Sequence, residues 1–186
     1  MSRIPTPTSV AEAPEASRPH LEAVQKQLGS VPNLFRLVAN SPAGLAGYLG
    51  LNGALAGGRL PAATRERIAL AVAQINGCDY CLSAHSYLGT HLAKLDAAEI
   101  AANRAGGSND PKADAAVRFA ADLVRTRGHV GEDAVRPVRQ AGYDDGQLVE
   151  IVLHVALNTL TNYVNEAFAT EIDFPVVRAD RTDRAA

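Results

Sequence analysis

The chain has 186 residues, 47% of them hydrophobic and 20% charged, which suits one soluble domain with a sizeable core. A net charge of −2 gives no electrostatic case for nucleic acid or an anionic membrane surface as partner. Aromatic residues make up only 5%, tryptophan is absent, and the abundance of Ala and Leu leans toward helix.

In chain order, residues 1–18 carry Pro5, Pro7 and Pro14 among small residues and read as a flexible arm, ordered only on docking. The start lacks an apolar run of signal-peptide type, so a cytoplasmic setting is expected. A short helix should end at Gly29. Ser41-Pro42 pairs an N-cap with a first-turn proline. The uncharged stretch from Leu37 to Gly58 contains Asn40, Pro42, Asn52 and several glycines, and is a poor membrane span. Residues 61–75 predict a helix with Ile68, Val72 and Ile75 on one side, stopped by Asn76-Gly77.

Further on, Asp96 and Glu99 have capping-box spacing, and Asp110-Pro111 repeats the cap-plus-proline pair. Gly142 closes a helix starting near Gly131, and Asp144-Asp145 open a last one over about 146–168. That last helix is apolar nearly all round and is expected to be central. No segment alternates with period two, so no strand is predicted. The expectation is an all-α domain over 19–175, followed by a loose tail over 176–186. A weak echo aligns Ile68, Leu70, Val72 and Tyr80 with Ile151, Leu153, Val155 and Tyr163, as two duplicated helical halves would.

The chemistry concentrates in one place. Cys78 and Cys81 are the only cysteines, and random placement would give this spacing about one time in a hundred. On a helix, positions 78, 81 and 85 share an arc of roughly 60°, which puts both thiols and the His85 imidazole on one face. In a reducing compartment such a pair is catalytic or metal-binding rather than a structural disulfide. Cys78, near a helix start, should feel the macrodipole and a lowered pKa, while Asp79 is expected to point outward. His85, four residues past Cys81, can take the thiol proton, and Glu66 on the preceding helix would orient the ring if it reaches it.

The run from Glu66 through Cys78, Cys81 and His85 resembles the signature of the AhpD-like alkylhydroperoxidases within the carboxymuconolactone decarboxylase superfamily. Val31-Pro-Asn-Leu-Phe and the stretch from Asn162-Tyr163 to Asp173-Phe174-Pro175 are similar to its peroxidase-related branch. The resemblance implies an all-helical AhpD-like fold, a trimeric or hexameric homo-oligomer, and peroxidase activity without metal or cofactor. It implies Cys81 as the peroxidatic thiol, Cys78 as the resolving thiol, and His85 with Glu66 as a proton relay. The substrate would be a hydroperoxide, and the reductant an external dithiol such as a lipoyl-bearing protein. One departure is Tyr80, which stands where the best-known members place a histidine; it is read as packing or a pocket wall.

Competing readings exist. A lactone decarboxylase of the wider superfamily would generally lack the C-x-x-C. A zinc site from Cys78, Cys81, His85 and His91 would compress ligands onto one helix that zinc folds usually separate by about a dozen residues. No βαβ pattern supports a thioredoxin-like oxidoreductase. His154 reads as a satisfied core histidine, and Asn162, Asn165 and Glu166 as packing polar groups.

Overall fold

The structure is a computed structural model and describes residues 2–180; the part of the expected tail over 181–186 lies outside the described residues. No strand occurs among the described residues. The helices are α1 (Arg18–Leu28), α2 (Asn33–Val38), α3 (Pro42–Ala56), α4 (Ala62–Asn76), α5 (Asp79–His91), α6 (Ala97–Arg104), α7 (Pro111–Thr126), α8 (Glu132–Gln140) and α9 (Asp145–Phe168).

The starts are chemically marked. Ser41, Asp96, Asp110 and Asp144 each accept a backbone N–H from the residue three positions on. At Asp144 the bond is reciprocated by Gln147, which completes a capping box. Asp96 differs: Glu99 does not return the bond but turns inward to Arg67.

The central helix is α4 rather than α9. Six consecutive residues of α4, Ile68 to Ala73, are buried, and the helix packs against α5, α6, α7 and α9 at once. Its alanines make this possible, since small side chains let neighbours approach on every side. By contrast α9 buries Leu148, Ile151, Val155 and Leu157 but leaves Val149, Val152, Leu153, Leu160 and Tyr163 between 38% and 65% exposed. An apolar pattern all round therefore marks an uncovered face here, not a central position.

Two hydrophobic clusters flank α4. One joins Ile68 and Val72 to Phe119, Leu123, Val138 and Ile151. The other surrounds Cys78 and Cys81 with Leu34, Leu70, Tyr80, Leu82 and Leu95. Residues 2–17 lie along the helices: Ala13 is buried, Ser17 Oγ donates to Ala39 O at 2.7 Å, and Arg3 Nη1 donates to Ala167 O at 2.8 Å. Residues 176–180 run across the back of α5, where Val177 N donates to Ser83 Oγ at 2.9 Å.

Candidate active site

The turn between α4 and α5 brings the thiols into place. Gly77 adopts φ +68°, a left-handed conformation that costs glycine nothing. Cys78 follows as the N-cap of α5, with extended backbone, and its sulfur accepts from Cys81 N at 3.4 Å. Cys78 is thus just outside the helical arc, and its side chain folds back over the first turn to meet Cys81. Both cysteines are free thiols and almost fully buried.

The two thiols are opposites electrostatically. The Cys81 thiol is pulled down to about 6, first by the hydrogen bond from the Cys78 thiol and next by the nearby His85 charge, against the opposing cost of burial. The Asn165 and Asn162 amides add to this, with Asn165 Nδ2 only 3.2 Å from the Cys81 sulfur. Cys78 moves the other way: as donor to Cys81, and buried, it is held well above the ordinary thiol range. The expectation that the helix start lowers Cys78 is therefore corrected. The N–H groups of the first turn are present, but the charge resides one turn further in.

His85 and Glu66 do meet. His85 Nδ1 lies 2.8 Å from Glu66 Oε2, with both side chains about a fifth exposed. Burial disfavours the imidazolium, yet the Glu66 charge and hydrogen bond outweigh it and raise the His85 pKa overall. Engaging Nδ1 leaves Nε2 as the ring nitrogen free for proton transfer. His85 acts on Cys81 through charge and not through a direct hydrogen bond.

The other singled-out residues fall as follows. Tyr80 lines the cavity, but its hydroxyl donates to Asp173 Oδ1 at 2.9 Å and accepts from Leu34 N at 3.1 Å, and burial raises its pKa. Asp79 does not point outward. Its carboxylate is buried and accepts from Arg178 Nη1 and Ala179 N, each at 2.9 Å, which turns its charge away from the thiols. His91 stands apart, stacked on Tyr87 with ring centroids 4.2 Å apart. Among the described residues no three His, Cys, Asp or Glu side chains are arranged to hold a metal ion.

Cys81, Glu66 and His85 border a cavity of about 250 Å³, walled by Tyr48, Ala62, Arg65, Ala69, Leu157 and others. Burial and the Cys81 charge raise the Tyr48 pKa, so it stays a neutral phenol at this wall. The sequence reading missed the inner face of α9. His154, Asn158, Thr161, Asn162 and Asn165 are all buried, at spacings that keep them on one side of the helix. His154 is not a satisfied core histidine, because its Nε2 is buried without a partner. The signal was available as polar residues at helical spacing within an apolar helix.

The sequence model of the carboxymuconolactone decarboxylase family matches residues 42–122, which include Glu66, Cys78, Cys81 and His85. An alkylhydroperoxidase AhpD core structure, an uncharacterized peroxidase-related protein from Ralstonia eutropha JMP134, is similar with a TM-score of 0.82. The identity is 27% over 92% of each chain. The chain is thus similar to AhpD-like members of the carboxymuconolactone decarboxylase superfamily over its central region and in its fold.

A peroxidase-related protein from Silicibacter sp. TM1040 is similar at 24% identity and a TM-score of 0.79 over 91% of each chain. The debrominase Bmp8 is similar at 22% identity and a TM-score of 0.75, over 90% of this chain and 91% of the other. At these identities the last two establish the AhpD-like fold alone. No curated protein sequence gives a significant match.

Proposed function

We propose that this AhpD-like protein is a thiol-dependent peroxidase that reduces organic hydroperoxides through a Cys78–Cys81 dithiol cycle. The observation that carries the reading is the Cys81 thiol held at about 6 beside its proton donor Cys78, on a cavity shared with the His85–Glu66 pair. A thiolate at neutral pH is the nucleophile this chemistry needs. The resemblance to the 27% identical peroxidase-related protein supports hydroperoxide as the substrate class. The debrominase shares the fold at an identity too low to carry a substrate.

In the proposed cycle the Cys81 thiolate attacks the terminal peroxide oxygen. An S–O bond forms, the O–O bond breaks, and its electron pair leaves on the alkoxide. His85, kept protonated by Glu66, supplies the proton that releases the alcohol, carried by a water across the cavity. Cys81 is now a sulfenic acid. Cys78 attacks that sulfur, forms the disulfide, and its proton leaves with hydroxide as water. An external dithiol, of which a lipoyl-bearing protein is one, returns two electrons by exchange. Proximity within one helical turn favours resolution over further oxidation.

The reading extends to assembly and setting. The exposed apolar face of α9, with Val149, Val152, Leu153, Leu160 and Tyr163, supports self-association, and the family resemblance implies a trimer or hexamer. Sedimentation of the wild type against Leu160→Glu tests it, and a monomeric wild type contradicts it. A reduced dithiol belongs in a reducing compartment, hence the cytoplasm. No helix among the described residues is long and apolar enough to cross a membrane.

The enzymatic reading is tested by Cys78→Ser. This variant should reduce one equivalent of cumene hydroperoxide and stop with a trappable sulfenic acid on Cys81. Loss of that first turnover would reverse or remove the assigned roles.

A further inference from the structure

Cys81, His85 and Glu66 make up only part of the cavity wall. Among the polar groups on the rest of that wall, two stand out that the cycle does not use. His154 is 5% exposed, and its buried Nε2 has no hydrogen-bond partner. Arg65, on the adjoining turn of α4, also lines the cavity. Its Nη1 donates to Leu55 O at 3.1 Å and Ala56 O at 2.6 Å, the last carbonyls of α3. That anchors the guanidinium without neutralising it, and no carboxylate among the described residues pairs with it. Glu66, one residue on, is committed to His85.

A half-buried guanidinium with no ion-pair partner, on the same cavity as an unpartnered buried imidazole nitrogen that also feels the Glu150 and Glu66 charges, is a costly arrangement in an apo cavity. Both groups can donate to one oxyanion, and Arg recognises carboxylates with its fork of N–H groups. We infer that Arg65 and His154 form an anion-binding end of the cavity, so that the hydroperoxide reduced at Cys81 carries a carboxylate. Ala62, Ala69, Leu157 and Leu34 line the same cavity and suit an aliphatic or aromatic body. At about 250 Å³ the cavity falls below the usual range of roughly 300–1,000 Å³ for drug-sized ligands. The substrate class is thus a small hydroperoxy acid and not a phospholipid hydroperoxide.

This substrate assignment rests on the peroxidase reading, and a pair of experiments on the full-length protein separates the two. In the first, histidine-labelled protein is titrated by NMR with 4-methylpentanoate, which contains no peroxide, and with 4-methylpentan-1-ol. The His154 ring signal, assigned by its loss in His154→Gln, should move with the acid and not with the alcohol. An anion beside the ring should also raise its pKa. Arg65→Gln should abolish the response, while Arg65→Lys, which keeps a cation, should retain part of it.

In the second, stopped-flow thiol oxidation compares 4-hydroperoxy-4-methylpentanoate with its methyl ester. The acid should react at least tenfold faster in kcat/KM, mostly through KM, and Arg65→Gln should bring the ratio close to one. Equal NMR response to acid and alcohol, or a wild-type ratio near one, overturns the anion end while leaving the peroxidase intact. Specific acid binding with no thiol oxidation by either peroxide overturns the peroxidase reading and leaves the anion end standing.

Discussion

Two buried polar clusters sit on opposite sides of α4, and they are built to different rules. On one side Glu99 accepts from Arg67, Asn103, Ser108 and Asn109, tying α4 to α6 and to the loop before α7. Those contacts hold its carboxyl down to about 2 against the cost of burial. Only Asn103 Oδ1 in this cluster lacks a partner. On the other side, along the inner face of α9, His154 Nε2 and Asn165 Oδ1 are buried and unpaired. A closed network holds elements together, whereas an open one on a cavity keeps bonding capacity for something that arrives. The first cluster belongs to the fold and the second to the chemistry.

Substitutions should separate the two. The largest effect is expected from Cys81→Ser, which should reduce hydroperoxide consumption to the uncatalysed rate while leaving the thermal unfolding midpoint within a degree or two. A large drop in midpoint would mean that Cys81 is chiefly a packing residue. His85→Gln should slow thiol oxidation by roughly 10²–10⁴-fold, the usual span of general acid–base catalysis, with unfolding again unchanged. A normal rate would remove the ring from the relay.

Across the molecule, Glu99→Ala should lower stability by about 3–5 kcal/mol, because it leaves the Arg67 charge buried and alone. Denaturant unfolding measures this, and a loss under 1 kcal/mol would show the network to be dispensable. The same variant should leave the pH profile of thiol alkylation unmoved.

The smallest effect concerns that profile. Because the thiolate is the reactive form, alkylation should rise tenfold per pH unit below about 6 and level off above it. Asn165→Ala removes a donor to the sulfur, so it should shift the midpoint upward by about one unit. A midpoint that stays put would exclude the amide from thiolate stabilisation.

Most of the helices and their caps were legible in the sequence, because Ser41, Asp96, Asp110, Asp144, Gly77 and Gly142 each mark a boundary by local chemistry. The constellation of Glu66, Cys78, Cys81 and His85 was also visible, since three of its members share one turn and its continuation. What resisted was everything set by tertiary placement. Composition could not tell that the alanines of α4 make it the central helix while α9 keeps an uncovered face. Nor could it show that Asp79 is neutralised by Arg178, ninety-nine residues away. The thiol charges were reversed for a similar reason: the macrodipole argument is local, but the bond from Cys78 and the amide of Asn165 come from side-chain geometry. His154 and Asn165 looked like packing because their spacing is that of any helix face, and only the cavity beside them gives the stripe a purpose.

The most direct measurement is stopped-flow addition of one equivalent of cumene hydroperoxide to the reduced protein, with thiols counted and the product mass determined. Loss of both thiols per chain, one alcohol formed per peroxide, and a mass two hydrogens lower from a Cys78–Cys81 disulfide is the predicted result. Thiols that survive peroxide, or a disulfide that forms only between chains, would contradict the account.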